Sequence, residues 1–186
     1  EDGSGLDATQ MQALALQFNL SETTFILPSR TADARVRIFT PAYEMPFAGH
    51  PTLGTAHVVR ALGPGSDQVR LELAAGVIPV AAVRDFWELR ANNATTRAPR
   101  AATAELAVAL GLQEQDLAGP ALWVDAGSEQ LIVPLTSEDA VRRVQLSIDA
   151  LRSVTGDGPR AQVYVFVPRT DGSLLARFFF SKGESL

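Results

Sequence analysis

Two short stretches gather the residues able to move a proton. The first, Asn19-Leu20-Ser21-Glu22-Thr23-Thr24-Phe25, sets one acid at the entrance to a β-rich run. The second, Pro46-Phe47-Ala48-Gly49-His50-Pro51-Thr52-Leu53-Gly54, takes the chain from a strand into a Gly-His-Pro turn that opens a helix. A carboxylate between a helix stop and a strand start, partly withdrawn from water, is suited to trading protons near neutral pH. The competing reading is a solvent-facing glutamate at a strand end, and local sequence leaves both open. A helix N-terminus offers N–H groups without helical partners and the positive end of its dipole, which suits a substrate carboxylate. Gly49 would let a ligand approach the backbone, Thr52 would add a hydroxyl, and His50 would be an acid, a base or an orienting donor. The alternative makes His50 a helix cap and Pro51 merely structural.

Other candidates fall away. His57 follows His50 by two helical turns, about 10 Å along the axis, so the two histidines cannot share a metal. His57 is expected in the core or behind the site, and no metal site is expected. Ser21 lacks the Gly-x-Ser-x-Gly setting of a nucleophile elbow, and no glycine-rich phosphate loop appears. Glu44 and Asp125 are acids near strand ends with nothing to prefer them. Trp87 and Trp123 sit in strand-like runs and read as core.

The elements that must position these residues follow from periodicity. Asp7 and Gln10 have the spacing of a capping box, with Leu6 and Met11 as a hydrophobic staple. Met11, Leu14, Ala15 and Phe18 mark one face of the helix, and Asn19 ends it. Thr23 to Leu27 and Arg35 to Phe39 read as strands, and Tyr43 to Phe47 as a loop. Pro51 is expected at the first position of a helix running to about Leu62 and stopped by Gly63. That helix is apolar or small nearly all round, which predicts burial on most sides and strands wrapped about it. Strands follow at Val69 to Ala74, Val77 to Val83 and Phe86 to Ala91, with turns at Gly76 and Arg84-Asp85. Asn92 to Ala102 is polar and reads as a linker. Beyond it come a helix capped by Thr103, strands around Gly127, a helix capped by Ser137, a helix from Ile148, and a hairpin of Ala161 to Val167 with Leu174 to Phe180. The halves echo each other faintly: Ser21-Glu22 before Phe25-Ile26-Leu27-Pro28, and Ser128-Glu129 before Leu131-Ile132-Val133-Pro134. Ala34-Arg35 and Ala176-Arg177 make a second echo.

Composition narrows the function classes. The 186 residues suit one large domain or two small ones. A net charge of −5 without a basic patch argues against nucleic acid as a partner. The absence of cysteine removes thiolate catalysis, cysteine metal sites and disulfides. With no apolar run long enough for a membrane helix and no visible signal peptide, a cytoplasmic protein is expected.

At Phe18 to Phe25 and Pro46 to Gly54 the chain resembles the PhzF-like family of phenazine biosynthesis, which is similar in fold to diaminopimelate epimerase. The resemblance implies an α/β (α+β) protein of two similar domains, each with a curved, mostly antiparallel sheet around a central helix and with the site in the cleft between them. The domains would span residues 1–98 and 99–186. The resemblance implies that the second is incomplete, because the family's later Asp-Pro and Thr-Gly-Ser signature would follow the last residue given. The resemblance further implies a cofactor-independent isomerase or epimerase moving a proton on a small carboxylate metabolite. Glu22 falls on the family's acid/base glutamate, and His50 lines the site. Ser21, Gly49, His50, Pro51 and Thr52 are the expected substrate contacts. The expected partner is a small anionic metabolite, and a homodimer is the expected assembly. Two alternatives stand beside it: a non-catalytic small-molecule binding or interaction protein that kept the fold, and a thioesterase.

Overall fold

The structure, a computed structural model, describes residues 2–84, 86–156, 158 and 162–180. Asp85, Ala161 and residues 181–186, which entered the expected turn, strand start and chain end, lie outside the described residues. The chain divides into two compact units between Asn93 and Ala94.

Unit 1 begins with α1 (Ala8–Phe18). Asp7 accepts from the Gln10 amide while the Gln10 side chain accepts from the Asp7 amide, and Asn19 closes the helix in the left-handed region at φ 51°. Met11 and Ala15 are buried, whereas Phe18, expected on the same face, is exposed. β1 (Thr23–Leu27) and β2 (Ala34–Phe39) form an antiparallel pair, and β2 is also joined by β3 (Glu44–Met45), a short strand inside the segment expected to be a loop. After α2 (Gly49–Leu62), β4 (Gln68–Leu73) returns parallel to β2 and opens the antiparallel meander β4, β5 (Gly76–Val83) and β6 (Phe86–Leu89). The two faces of β1 and β2 have different work. Phe25 and Phe39 pack edge to face under α1, while Val36 and Ile38 join Ala56 of α2 in the larger core.

α2 touches β1, β2, β4 and β6, as a helix held by a sheet must. Its start differs from expectation. Ala48 is the cap, without a side-chain bond, so Gly49 opens the helix and Pro51 stands two residues inside it. Burial is also one-sided. Pro51, Thr52, Thr55 and Ala56 are buried, but Gly54, His57, Val58 and Leu62 are exposed. Apolar composition alone does not show which faces the chain covers.

Unit 2 opens with β7 (Thr95–Arg97), which lies in the segment expected to be a linker and pairs with β8 (Leu122–Asp125). This pairing draws the division between units ahead of the expected 98/99 boundary. The sheet order is β11-β10-β9-β8-β7, with β9 (Glu129–Pro134), β10 (Gln162–Pro168) and β11 (Leu174–Phe180). Helices α3 (Thr103–Ala109), α4 (Glu138–Arg143) and α5 (Ile148–Thr155) contribute Leu106, Ala140, Val141, Leu151 and Val154 to a core with Trp123, Leu131, Val133, Val163 and Val165. Ser137 and Ser147 cap α4 and α5. Ala102, and not Thr103, is the cap residue of α3, its amide donating to Glu105. On the other side of β10 and β11 lies an aromatic stripe of Tyr164, Phe166, Phe178 and Phe180.

Both units contain one parallel pair, β2 with β4 and β9 with β10, amid antiparallel neighbours. The echo between halves is real but falls elsewhere than the short sequence matches suggest. β9 and β11 are separated by β10, so they cannot mirror the adjacent β1 and β2. The counterpart is the hairpin β10–β11: Leu27 faces Arg35 in one, and Val167 faces Leu175 at the same register in the other. Arg37 lies over Phe39 at 5.1 Å, and Arg177 over Phe179 at 4.7 Å.

Candidate active site

Glu22 precedes β1 directly, and His50 occupies the first turn of α2. The chain's two signature phrases thus meet in space. His50 Nε2 is 3.1 Å from Glu22 Oε2. The pair is asymmetric: the Glu22 side chain is 19% exposed and that of His50 is 80% exposed. The histidine therefore covers the acid while remaining open to a ligand. His50 is not the helix cap, because Ala48 holds that place and the ring points to Glu22.

Beneath the pair is a pocket of about 290 Å³, lined by Glu22, Thr24, Ile26, His50, Pro51, Gly54, Thr55 and Val58. It is at the small end of ligand cavities. Its walls follow two periodicities. Glu22, Thr24 and Ile26 alternate along β1, and His50, Gly54 and Val58 recur one helical turn apart on α2. Sequence reading named Glu22, His50 and Pro51 of this lining and missed the rest, although the two spacings, extended from Glu22 and His50, point to Thr24, Ile26, Gly54 and Val58.

The first intrahelical bond of α2 is made by the Thr52 amide to the Ala48 carbonyl at 3.2 Å. The amides of Gly49 and His50 precede that ladder, and Pro51 has no N–H to satisfy. No side chain caps this end, so its N–H groups are available to an anion. A Cβ built on Gly49 would meet nothing within 4 Å, which leaves the approach to the backbone open.

The remaining expected contacts are placed differently. Ser21 is exposed beside Glu22 and does not line the pocket. Thr52 is fully buried, and its Oγ1 donates to the Ala48 carbonyl at 2.6 Å, so its hydroxyl faces inward. His57, expected in the core or behind the site, is exposed and stands edge-on to Trp87 at 5.8 Å. Glu44 is engaged by the Arg37 fork at 2.7 and 2.6 Å, and Asp125 accepts from the Gly127 amide. Trp123 is core, as read from sequence, while Trp87 is only partly buried. Among the described residues no cluster of three or more His, Asp or Glu could hold a metal ion, and no helix is long and apolar enough to cross a membrane.

Fold and site together define a class: an α+β protein of two sheet-and-helix units, with an acid and a histidine paired where a sheet-bound helix begins. The chain belongs to the PhzC-PhzF family, described as phenazine biosynthesis-like protein, which matches residues 1–183. It is similar to an uncharacterised isomerase of Pasteurella multocida, 33% identical over 187 residues and covering 96% of this chain and 62% of that protein. A trans-2,3-dihydro-3-hydroxyanthranilate isomerase of Pseudomonas aeruginosa is 44% identical over 119 residues, covering 60% of this chain and 42% of that one. The crystal structure of a Bacillus anthracis phenazine biosynthesis protein of the PhzF family matches with a TM-score of 0.79 at 30% identity, over 97% of this chain and 64% of that one. The chain spans less than two thirds of the length of each of these relatives.

Proposed function

We propose that the intact protein is an isomerase or epimerase that relocates a proton on a small carboxylate metabolite without a cofactor. The observation that carries this reading is the Glu22–His50 contact at 3.1 Å on the rim of a small pocket at an uncapped helix start. Isomerase-named relatives support the reaction class. In this mechanism the substrate's anionic group lies against the Gly49 and His50 amides. The Glu22 carboxylate takes a proton from a carbon acidified by adjacent unsaturation or by the carboxylate. The electron pair left behind shifts along the conjugated system, and Glu22 returns the proton at another carbon or on the other face. Backbone N–H donors stabilise the transient negative charge, and His50 orients Glu22. The reaction has no net redox change and consumes no co-reactant. A cytoplasmic homodimer belongs to the same proposal, and light scattering of the full-length protein tests the assembly.

The test is solvent-deuterium incorporation, followed by NMR, into a panel of small carboxylates that includes trans-2,3-dihydro-3-hydroxyanthranilate. Glu22→Gln in the full-length protein is expected to slow incorporation by about 10²- to 10⁴-fold. Incorporation at an unchanged rate in Glu22→Gln overturns the assignment. Binding without exchange, blocked by Gly49→Val, identifies a binding protein instead.

A further inference from the structure

Thr55 is 3% exposed, and its hydroxyl contacts two oxygens, the Pro51 carbonyl at 2.7 Å and Thr24 Oγ1 at 2.9 Å. A hydroxyl has one proton, and a carbonyl only accepts. Thr55 Oγ1 is the donor toward both, its one proton shared between the Pro51 carbonyl and Thr24 Oγ1, so this hydroxyl links the first turn of α2 to β1. The contacts close a ring. Glu22 leads through Thr23 to Thr24, Thr24 bonds Thr55, Thr55 bonds Pro51, Pro51 is joined to His50, and His50 meets Glu22 again at 3.1 Å. Pro51 adds stiffness to the ring through its own fixed φ.

We propose that the Thr24–Thr55 hydroxyl pair is a positioning device that ties the start of α2 to β1 and so holds the His50–Glu22 spacing. This inference rests on the reading of Glu22 and His50 as the working pair. Valine has nearly the shape of threonine, so what a Thr→Val change removes at either position is the hydroxyl and its hydrogen bonds. What the hydroxyls add is direction. A satisfied buried hydrogen bond sets one register between helix and strand, where two apolar groups permit sliding. Neither threonine need touch the reacting atoms for this role.

The experiment compares Thr55→Val, Thr55→Ser and Thr24→Val in the full-length protein. Amide exchange of Thr52 and Leu53, in the first turns of α2, is expected to quicken at least tenfold in either valine variant and to stay near wild type in Thr55→Ser. The amides of Leu71 and Ile78, in β4 and β5, are expected to hold their rates, which separates a local release from global unfolding. With the carboxylate panel as substrates, Thr55→Val is expected to lower kcat about tenfold with KM within twofold. In a His50→Gln background the same change is expected to cost less than twofold. Unmoved Thr52 and Leu53 amides overturn the brace. Equal losses of kcat with and without His50 overturn its role in positioning that residue. A wild-type protein inactive on every carboxylate overturns the isomerase reading instead, and the amide rates still decide whether the brace exists.

Discussion

Glu22 and His50 divide one task between a shielded group and an exposed one. The acid is sheltered enough to hold a fixed geometry, and the imidazole lies where substrate arrives. The other acids near strand ends are already engaged, which is why Glu44, forked onto Arg37, makes a poor proton carrier. Glu72 shows how local donors tune a carboxylate. The Ser29 and Thr31 hydroxyls donate to its Oε2 at 2.5 and 3.1 Å and hold its carboxyl below the usual glutamate range. A carboxylate that titrates lower when folded adds stability above its unfolded value and loses it as pH falls through the folded one. Ser29→Ala is therefore expected to lower Tm above about pH 4.3, pH 7 included, and to converge with the wild type as the carboxylate is protonated in acid, which flattens the acid-side fall. Thermal melts across pH check this.

Among the elements, those with strong end signals formed where the residues placed them. Asp7 with Gln10, Asn19, Ser137 and Gly63 all mark true ends, because each satisfies a backbone group the helix itself leaves unpaired. Asp7→Ala is expected to cost about 1 kcal/mol in chemical denaturation, with no change in the site. The weaker signals moved. Pro51 is tolerated within the first turn because no N–H is needed there, so the helix begins earlier at Gly49. The segment holding Thr95 to Arg97 looks like a linker by composition, yet pairing with β8 makes it a strand. α4 ends at Arg143, and Arg177 Nη1, reaching across from β11, donates to the Val141, Arg142 and Val144 carbonyls that the helix leaves open. No local pattern announces a cap supplied from so far along the chain.

In the molecule as a whole, each unit has its own buried core. Leu71 and Ile78 lie at the centre of one and Leu131 and Val133 at the centre of the other, all fully buried. Truncating such a side chain leaves a cavity as well as losing contact area. Leu71→Ala and Leu131→Ala are each expected to destabilise their own unit by about 2–5 kcal/mol. Hydrogen exchange in the full-length protein is the check: Leu71→Ala should raise exchange first in β4 and β5, and Leu131→Ala first in β9 and β10. The matched hairpins β1–β2 and β10–β11 give the units a common theme. In unit 1 the residue leading into the hairpin is Glu22, and the residue at the same register in unit 2 is the buried Gln162. A glutamine cannot carry a proton as a carboxylate does, so the corresponding position in unit 2 does not repeat the chemistry.

The sequence by itself determined the two phrases, the α+β alternation, most helix ends and the residue types able to move a proton. These are local properties, written within a few residues and enforced by capping, turn geometry and side-chain period. Only the tertiary structure decided that Glu22 and His50 touch, that Thr24 and Thr55 bind strand to helix beneath them, and that Thr52 turns its hydroxyl inward. It also decided that the repeat lies in β10–β11, because strand order depends on which edges meet after the chain has folded. The physical reason is separation along the chain. Glu22 and His50 are 28 positions apart, and closing that loop depends on packing α2 into the sheet, which no window of local sequence contains.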